Sequence, residues 1–305
     1  MGKEITVGSL VGLLEENGFK TRVVPAARAV DLGREFEASA ERWGLDGEIR
    51  RTYTSGFRFD PEESLPGARS LIITSTFQPR LRVNFTLAGR ERAAVIPPTY
   101  LSHTDRRIAA LLNGVLEPRG LRLVRAALPL KLLAARTGLV RYGRNNVSYA
   151  EDWGSFHRLA AFFSEAEPDG DDWGEPAVLD RCQDCPACQK ACPTGAIQAD
   201  RFVVRAERCL TFLNERTADF PDWVSPSWHN CLVGCLVCQR VCPENHQVFR
   251  SEEEGPTFSG SETQMLLSGR PPEELPAATR QKLDEAEMMD YYAQLPRNLG
   301  VLFRD

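Results

Sequence analysis

Apolar positions change period along the chain. Between Gly8 and Gly18, Leu10, Val11, Leu13 and Leu14 fall on one side of a helical wheel, which predicts a short amphipathic helix. Residues 68–77, ARSLIITSTF, form an apolar, β-branched run bounded by Pro66-Gly67 and Pro79, the pattern of a buried strand. A helical period returns from Arg106 to Leu116 and stops at Pro118 and Gly120; Leu121 to Ala126 then reads as a short strand. Alternation of this kind predicts an α/β domain over residues 1–165.

The rear of the chain reads differently. SEEEGPTFSGSE, Ser251 to Glu262, is polar with Gly and Pro and reads as a linker. Beyond it, ETQMLLSG, PEELPAATRQKL and MMDYYAQLPRNLGVLF predict short helices interrupted at Gly269, Pro271, Pro272, Pro276 and Pro296. The expected organisation is an α/β N-terminal domain (1–165), a cofactor module (166–250) and a short helical C-terminal tail (251–305).

Composition adds exclusions. Hydrophobic residues make up 42% and charged residues 26% of the chain, and no apolar run approaches the roughly 20 residues of a membrane helix. The N-terminal stretch MGKEITVGSL lacks the basic and long apolar regions of a secretory signal, so a cytoplasmic protein with no membrane partner is expected. A net charge of −5 speaks against a broad basic footprint for nucleic acid. Arg80, Arg82, Arg90 and Arg92 are dense locally and read as a solvated surface.

All nine cysteines lie between residues 182 and 242, at gaps too short for a disulfide scaffold. RCQDCPACQKACPTG places Cys182, Cys185, Cys188 and Cys192 at the C-x2-C-x2-C-x3-C-P spacing of bacterial two-cluster ferredoxins. In that arrangement three thiolates hold one [4Fe–4S] cluster and the fourth crosses to the other. A second run, NCLVGCLVCQRVCPEN, supplies Cys235, Cys238 and Cys242, and by the same crossing rule Cys242 completes the first cluster. The second cluster then has Cys192, Cys235 and Cys238 and needs a fourth thiolate. A ferredoxin would have cysteine at position 232, which is Leu232 here, leaving Cys209 and Cys231 as candidates. The four-residue step from Cys231 to Cys235 strains the usual tight loop. Zinc also uses C-x2-C pairs, but so many cysteines without a paired His fit a ferredoxin-like two-[4Fe–4S] module better. His229 and His246 flank the second run and read as supporting or surface residues, and His103 and His157 have no metal-like spacing.

The order C-x2-C-x2-C-x3-CPTGAI, a lone cysteine in RCLTFLNE, then GCLVCQRVCPEN resembles the epoxyqueuosine reductase family. Upstream, LPLKLLAARTGLVRYGRNNVSY (128–149) is similar to the glycine-containing segment that precedes the clusters in that family, and GSFHRLAAFF follows it. The resemblance covers roughly residues 50–250. It implies cobalamin bound between the α/β domain and the ferredoxin-like module, with Gly138, Tyr142, Gly143, Arg144, Asn145 and Asn146 on the corrin-facing loop. It also implies Cys209 as the remaining cluster ligand, and a low-potential electron donor such as ferredoxin or flavodoxin. The implied activity is that of a reductase whose clusters deliver electrons singly to the corrinoid.

The chain departs from the family at its catalytic Asp. No acid occurs anywhere from Gly120 to Arg144, and the tail is short beside the helical-repeat extension that many members use against tRNA. A substrate other than, or not only, queuosine-modified tRNA is therefore expected. Tyr142 leads as replacement proton donor, with Tyr100, Asp105 and Glu151 behind it. The alternative is an electron-transfer protein or reductive activator for a partner's corrinoid.

Overall fold

The computed structural model describes residues 7–304, so the first six residues of the N-terminal stretch lie outside the described residues. The strands are β1 (Lys20–Pro25), β2 (Ser70–Phe77), β3 (Arg80–Leu87), β4 (Arg90–Ile96), β5 (Leu123–Arg125), β6 (Arg141–Tyr142), β7 (Ser148–Tyr149), β8 (His157–Ser164) and β9 (Glu252–Phe258). They fall into two compact units. One comprises the described residues up to Phe77 together with Ser102–Cys185; the other comprises Gln78–Leu101 and the described residues from Pro186 on. No helix among the described residues is long and apolar enough to cross a membrane.

In the first unit the order β1-β2-β8-β5 makes a four-stranded sheet in which every neighbouring pair is antiparallel. The unbroken apolar run predicted as a strand is β2, at the centre. Leu71, Ile72 and Ile73 are all fully buried, as a strand covered on both faces requires. Helices Val7–Glu16 and His103–Leu116 cover one face with Leu10, Leu14, Ile108, Leu112 and Leu116 against Ile72, Ala160 and Phe162. Helix Leu130–Arg136 packs on β2 and β8. Its Arg136 pairs with Glu35 of helix Arg28–Arg42 at 2.6 Å.

The second unit is built on a three-stranded sheet, β4-β3-β9. Ala88 and Gly89, both at positive φ, close the β3–β4 hairpin in the backbone geometry whose twist suits a two-residue turn. The segment expected to be a linker is instead β9, running parallel to β3. Its sequence concealed this. Three glutamates followed by Gly and Pro have poor strand propensity, but the tertiary partner overrides it. Phe258 is buried and stacks on Phe85 with ring centroids 5.0 Å apart. A Cβ on Gly255 would lie 2.8 Å from the Arg82 carbonyl oxygen, where the register shifts, so the polar-looking glycine is a close-approach residue.

The tail forms the expected helices Gly260–Leu267, Ala277–Glu285 and Leu295–Leu302, which bury Leu266, Leu283, Leu295 and Leu299 in one core with Val83, Phe85 and Phe258. Ser259 and Glu262 form a reciprocal capping box at the start of the first of these helices. Burial opposes the charge on Glu262. Hydrogen bonds from Lys282, from the Ser259 amide and hydroxyl and from Thr279 outweigh it and hold the carboxyl at about 2. The same core contains Leu232 and Val233, and the Leu232 amide donates to Val95 at 2.9 Å. Asn298 Nδ2 donates to the carbonyls of Asn214 (2.9 Å) and Leu232 (3.0 Å). The approach to the second cysteine run is thereby bedded on β4 and the last helix.

Candidate functional site

The two cysteine runs adopt the same local structure. Cys188 lies in the short helix Ala187–Ala191, and Cys238 in Val237–Arg240. The residue two before each of these helical cysteines has a matching backbone, Pro186 at φ −95°, ψ 9° and Leu236 at φ −114°, ψ 4°. After each helix the last cysteine turns extended, with ψ 110° at Cys192 and 124° at Cys242. The cause is the next residue. Pro193 and Pro243 disfavour the helical conformation for the residue before them, so the backbone of each C-x3-C-P cysteine leaves the helix direction. The two helices pack on each other. The extended backbone shared by the two closing cysteines thus has a local steric origin.

Among the described residues none of the nine cysteines forms a disulfide. Among the described residues no three His, Cys, Asp or Glu side chains converge closely enough to ligate a single ion. The fit to cubane clusters rests on the soft donor set, the repeated loop geometry and the donors aimed at sulfur. Asn230 Nδ2 donates to Cys235 Sγ at 3.3 Å, the Arg144 amide to Cys182 Sγ at 3.4 Å, and Thr194 Oγ1 lies 3.5 Å from Cys192 Sγ. Neither Asn230 nor Thr194 was singled out from sequence. The signal for Asn230 was an Asx residue preceding a turn: its Oδ1 accepts from the Leu236 amide at 2.8 Å.

Cys209 and Cys231 differ in surroundings. Cys209 begins the helix Leu210–Glu215; burial, then the charges of Cys235 and Cys192, push its thiol up to about 11. Cys231 is 2% exposed, and burial, then the charge of Cys235, pushes its thiol well above the ordinary range. Its Sγ donates to Asn230 Oδ1 at 3.2 Å, as a protonated thiol does.

The glycine loop is a tight hairpin in the first unit. Helix Leu130–Arg136 stops at Thr137, and Gly138 follows at φ 67°, a left-handed conformation that suits glycine at a helix end. β6 and β7 are joined across Gly143–Val147, with the Gly143 amide bonded to the Val147 carbonyl at 2.8 Å. A Cβ on Gly143 would lie 2.5 Å from Tyr149 Cε2 and 2.6 Å from Asn145 Oδ1, so no larger residue fits. Asn145 is 6% exposed and wedges the hairpin, donating to Tyr149 Oη at 2.9 Å and accepting from the Val147 amide at 3.3 Å. Asn146 takes a positive φ of 58°, which asparagine tolerates. The Tyr142 amide and carbonyl pair with Ala177 and Leu179, each at 2.8 Å, tying the loop to the chain that enters the first cysteine run.

Beneath the loop lies a residue with no metal-like spacing. His157 accepts at Nδ1 from Ser75 Oγ (3.0 Å) and donates from Nε2 to the Ser148 carbonyl (3.1 Å). Burial lowers its ring to about 4, so it is neutral.

The four replacement donors stand as follows. Burial, then the charge of Glu35, raises the Tyr142 phenol above its ordinary range. Asp105 is gripped by Arg158 (2.8 Å) and Arg125 (2.5 Å) and holds β5 and β8 to its helix. Tyr100 is half-buried and donates to Glu215. Glu151 is exposed, and its backbone carbonyl accepts from Lys20 at 2.7 Å. Of the histidines flanking the second run, His229 packs edge-on to Phe220 and is lowered to about 4 by burial and by Arg297 and Arg304, while His246 is exposed.

Residues 181–245 match the 4Fe-4S double cluster binding domain, which provides for two [4Fe–4S] clusters. An epoxyqueuosine reductase from Francisella cf. novicida (strain Fx1) is 27% identical over 178 residues, 50% of this chain and 46% of that protein, so the match spans about half of each. The structure of epoxyqueuosine reductase from Bacillus subtilis superposes with a TM-score of 0.68 at 21% identity over 97% of this chain and 80% of that one. A crystal structure of epoxyqueuosine reductase with a tRNA-Tyr epoxyqueuosine-modified stem loop gives 0.66 at 18% identity over the same shares. The chain is therefore epoxyqueuosine reductase-like in fold, with a double [4Fe–4S] cluster segment at residues 181–245.

Proposed function

We propose that the chain is an iron–sulfur reductase that uses cobalamin. One cluster is held by Cys182, Cys185, Cys188 and Cys242, the other by Cys192, Cys209, Cys235 and Cys238. The observation that carries the reading is the direct tie between the glycine loop and the first cysteine run, the Arg144 amide against Cys182 Sγ at 3.4 Å. Support for Cys209 over Cys231 is that Cys231 is buried and its Sγ donates to Asn230 Oδ1 at 3.2 Å, the contact of a protonated thiol. Cys231 is then a buried apolar residue.

The residues that would face the corrin are Gly138, Tyr142, Gly143, Arg144, Asn145 and Asn146. The hairpin would offer a flat macrocycle a fixed backbone, because Gly143 lets the turn close on Tyr149 and Asn145 and the Asn145 wedge keeps it rigid. When bound, cobalamin would supply a strongly reducing metal centre for two-electron reduction of a substrate bond. The clusters would accept electrons one at a time from a low-potential donor of the ferredoxin or flavodoxin kind. Proton delivery falls to Tyr142, the only one of the four candidate donors within the loop. Its raised affinity for the proton keeps the phenol neutral at rest and suits release only to a strongly basic intermediate.

With no acid from Gly120 to Arg144, the substrate differs from, or extends beyond, epoxyqueuosine in tRNA. The same observation favours a second reading, a reductive activator that passes electrons to a partner's corrinoid. Anaerobic purification with cobalamin, followed by iron, sulfide and cobalt analysis and EPR, separates them. About eight irons with one cobalt per chain and a cob(II)alamin signal are expected for the reductase. Eight irons without cobalt leave the activator. Turnover of epoxyqueuosine-tRNA would remove the reading in which the substrate differs from it and leave only a range that extends beyond it.

A further inference from the structure

Arg144 makes two kinds of contact with the first cysteine run. Its amide donates to Cys182 Sγ at 3.4 Å, and its guanidinium Nη2 donates to the carbonyls of Cys182 and of Gln183, the latter at 3.1 Å. Its Nε is buried and finds no acceptor among the described residues. A buried N–H without a partner is costly, and one held beside cysteines that bind an anionic cluster has a natural acceptor in the cluster's sulfurs. The side chain is thus committed to the cluster peptide rather than extended from the loop.

We propose that Arg144 sets the reduction potential of the cluster held by Cys182. This rests on the cluster assignment proposed above. Reduction places one electron from the donor on the cluster; no bond is made or broken, and the cluster with its four thiolates gains one negative charge. A fixed guanidinium and an N–H···S hydrogen bond stabilise that extra charge more than the oxidised form, so they raise the potential. The fork also holds two successive carbonyls in place, which a point charge on a flexible stem does less well. Because Arg144 lies on the glycine loop, the same residue couples the loop's position to the ease of reducing the cluster.

The test uses the full chain, purified anaerobically from cells grown without cobalamin, so that no corrinoid contributes. EPR-monitored redox titration compares wild type with Arg144→Gln and Arg144→Lys. In Arg144→Gln one cluster is expected to become harder to reduce by about tenfold in the reduced-to-oxidised ratio at fixed potential, about 59 mV for one electron. The other cluster stays unchanged, and Arg144→Lys moves less. Unchanged potentials in Arg144→Gln, parallel shifts of both clusters, or equal loss of one cluster's iron in both variants would overturn the proposal; the last would make Arg144 a structural tie. A Cys182→Ser variant that keeps both clusters at their original potentials would remove the ligand assignment itself.

Discussion

Asn230 sits between a backbone amide and a thiol. Its Nδ2 donates to Cys235 Sγ at 3.3 Å while its Oδ1 accepts from the Leu236 amide at 2.8 Å. One side chain therefore shapes the second cysteine loop and hydrogen-bonds a proposed cluster ligand. Asn230→Ala leaves the Leu236 amide short of its acceptor and is expected to destabilise the unit by about 1–3 kcal/mol. Anaerobic denaturant unfolding reads the loss, and faster iron release to a chelator should accompany it. Unaltered stability with unaltered iron release would contradict the role.

Cys209 and Cys231 separate by metal content. Cys209→Ser is expected to lose one cluster, lowering iron from about eight to about four per chain. Cys231→Ala should keep both, with only the modest cost of a smaller buried side chain, about 1 kcal/mol. The reverse pattern would move the fourth ligand to Cys231.

Gly143 tests the loop. With Tyr149 and Asn145 already within 2.6 Å of where a Cβ would go, Gly143→Ala must push the hairpin open, at about 1–3 kcal/mol. Cobalamin retention on gel filtration should fall in this variant, while the iron content holds. Full cobalamin retention would sink the loop's assignment to the corrin.

His157 makes stability depend on pH. Its ring is held at about 4 in the folded chain, below its unfolded value near 6.5, so the unfolded state binds the proton first. The contribution is fully present above pH 6.5 and is lost as pH falls from there toward 4, by at most about 3 kcal/mol. Urea unfolding at pH 7.5 and pH 5 measures it. His157→Gln should flatten the dependence; an unchanged slope would show that other groups govern it.

Several features were legible because they are encoded locally. The apolar, β-branched run through Ile72 and Ile73, bounded by Pro66-Gly67 and Pro79, reads as a buried strand, and the prolines after Cys192 and Cys242 favour the extended backbone at those cysteines. Cysteine spacing likewise carries the chemistry of the clusters, because ligand sets with gaps of two and three residues are set within single turns. Glu252–Phe258 was illegible for the converse reason. Its strand depends on β3, about 170 residues earlier in the chain, and on Gly255 fitting against Arg82.

The candidate site divides along the same line. Residue types and spacing along the chain were enough for the two-cluster module, whereas the glycine loop entered through the resemblance of residues 128–149 to a family segment. Tertiary packing decided the rest: β3 and β4 joining the cysteine-rich unit, Asp105 being gripped by two arginines, and Arg144 meeting Cys182. These are relations between residues distant in sequence. Their strength depends on burial and on hydrogen-bond distance, and neither exists until the chain has folded.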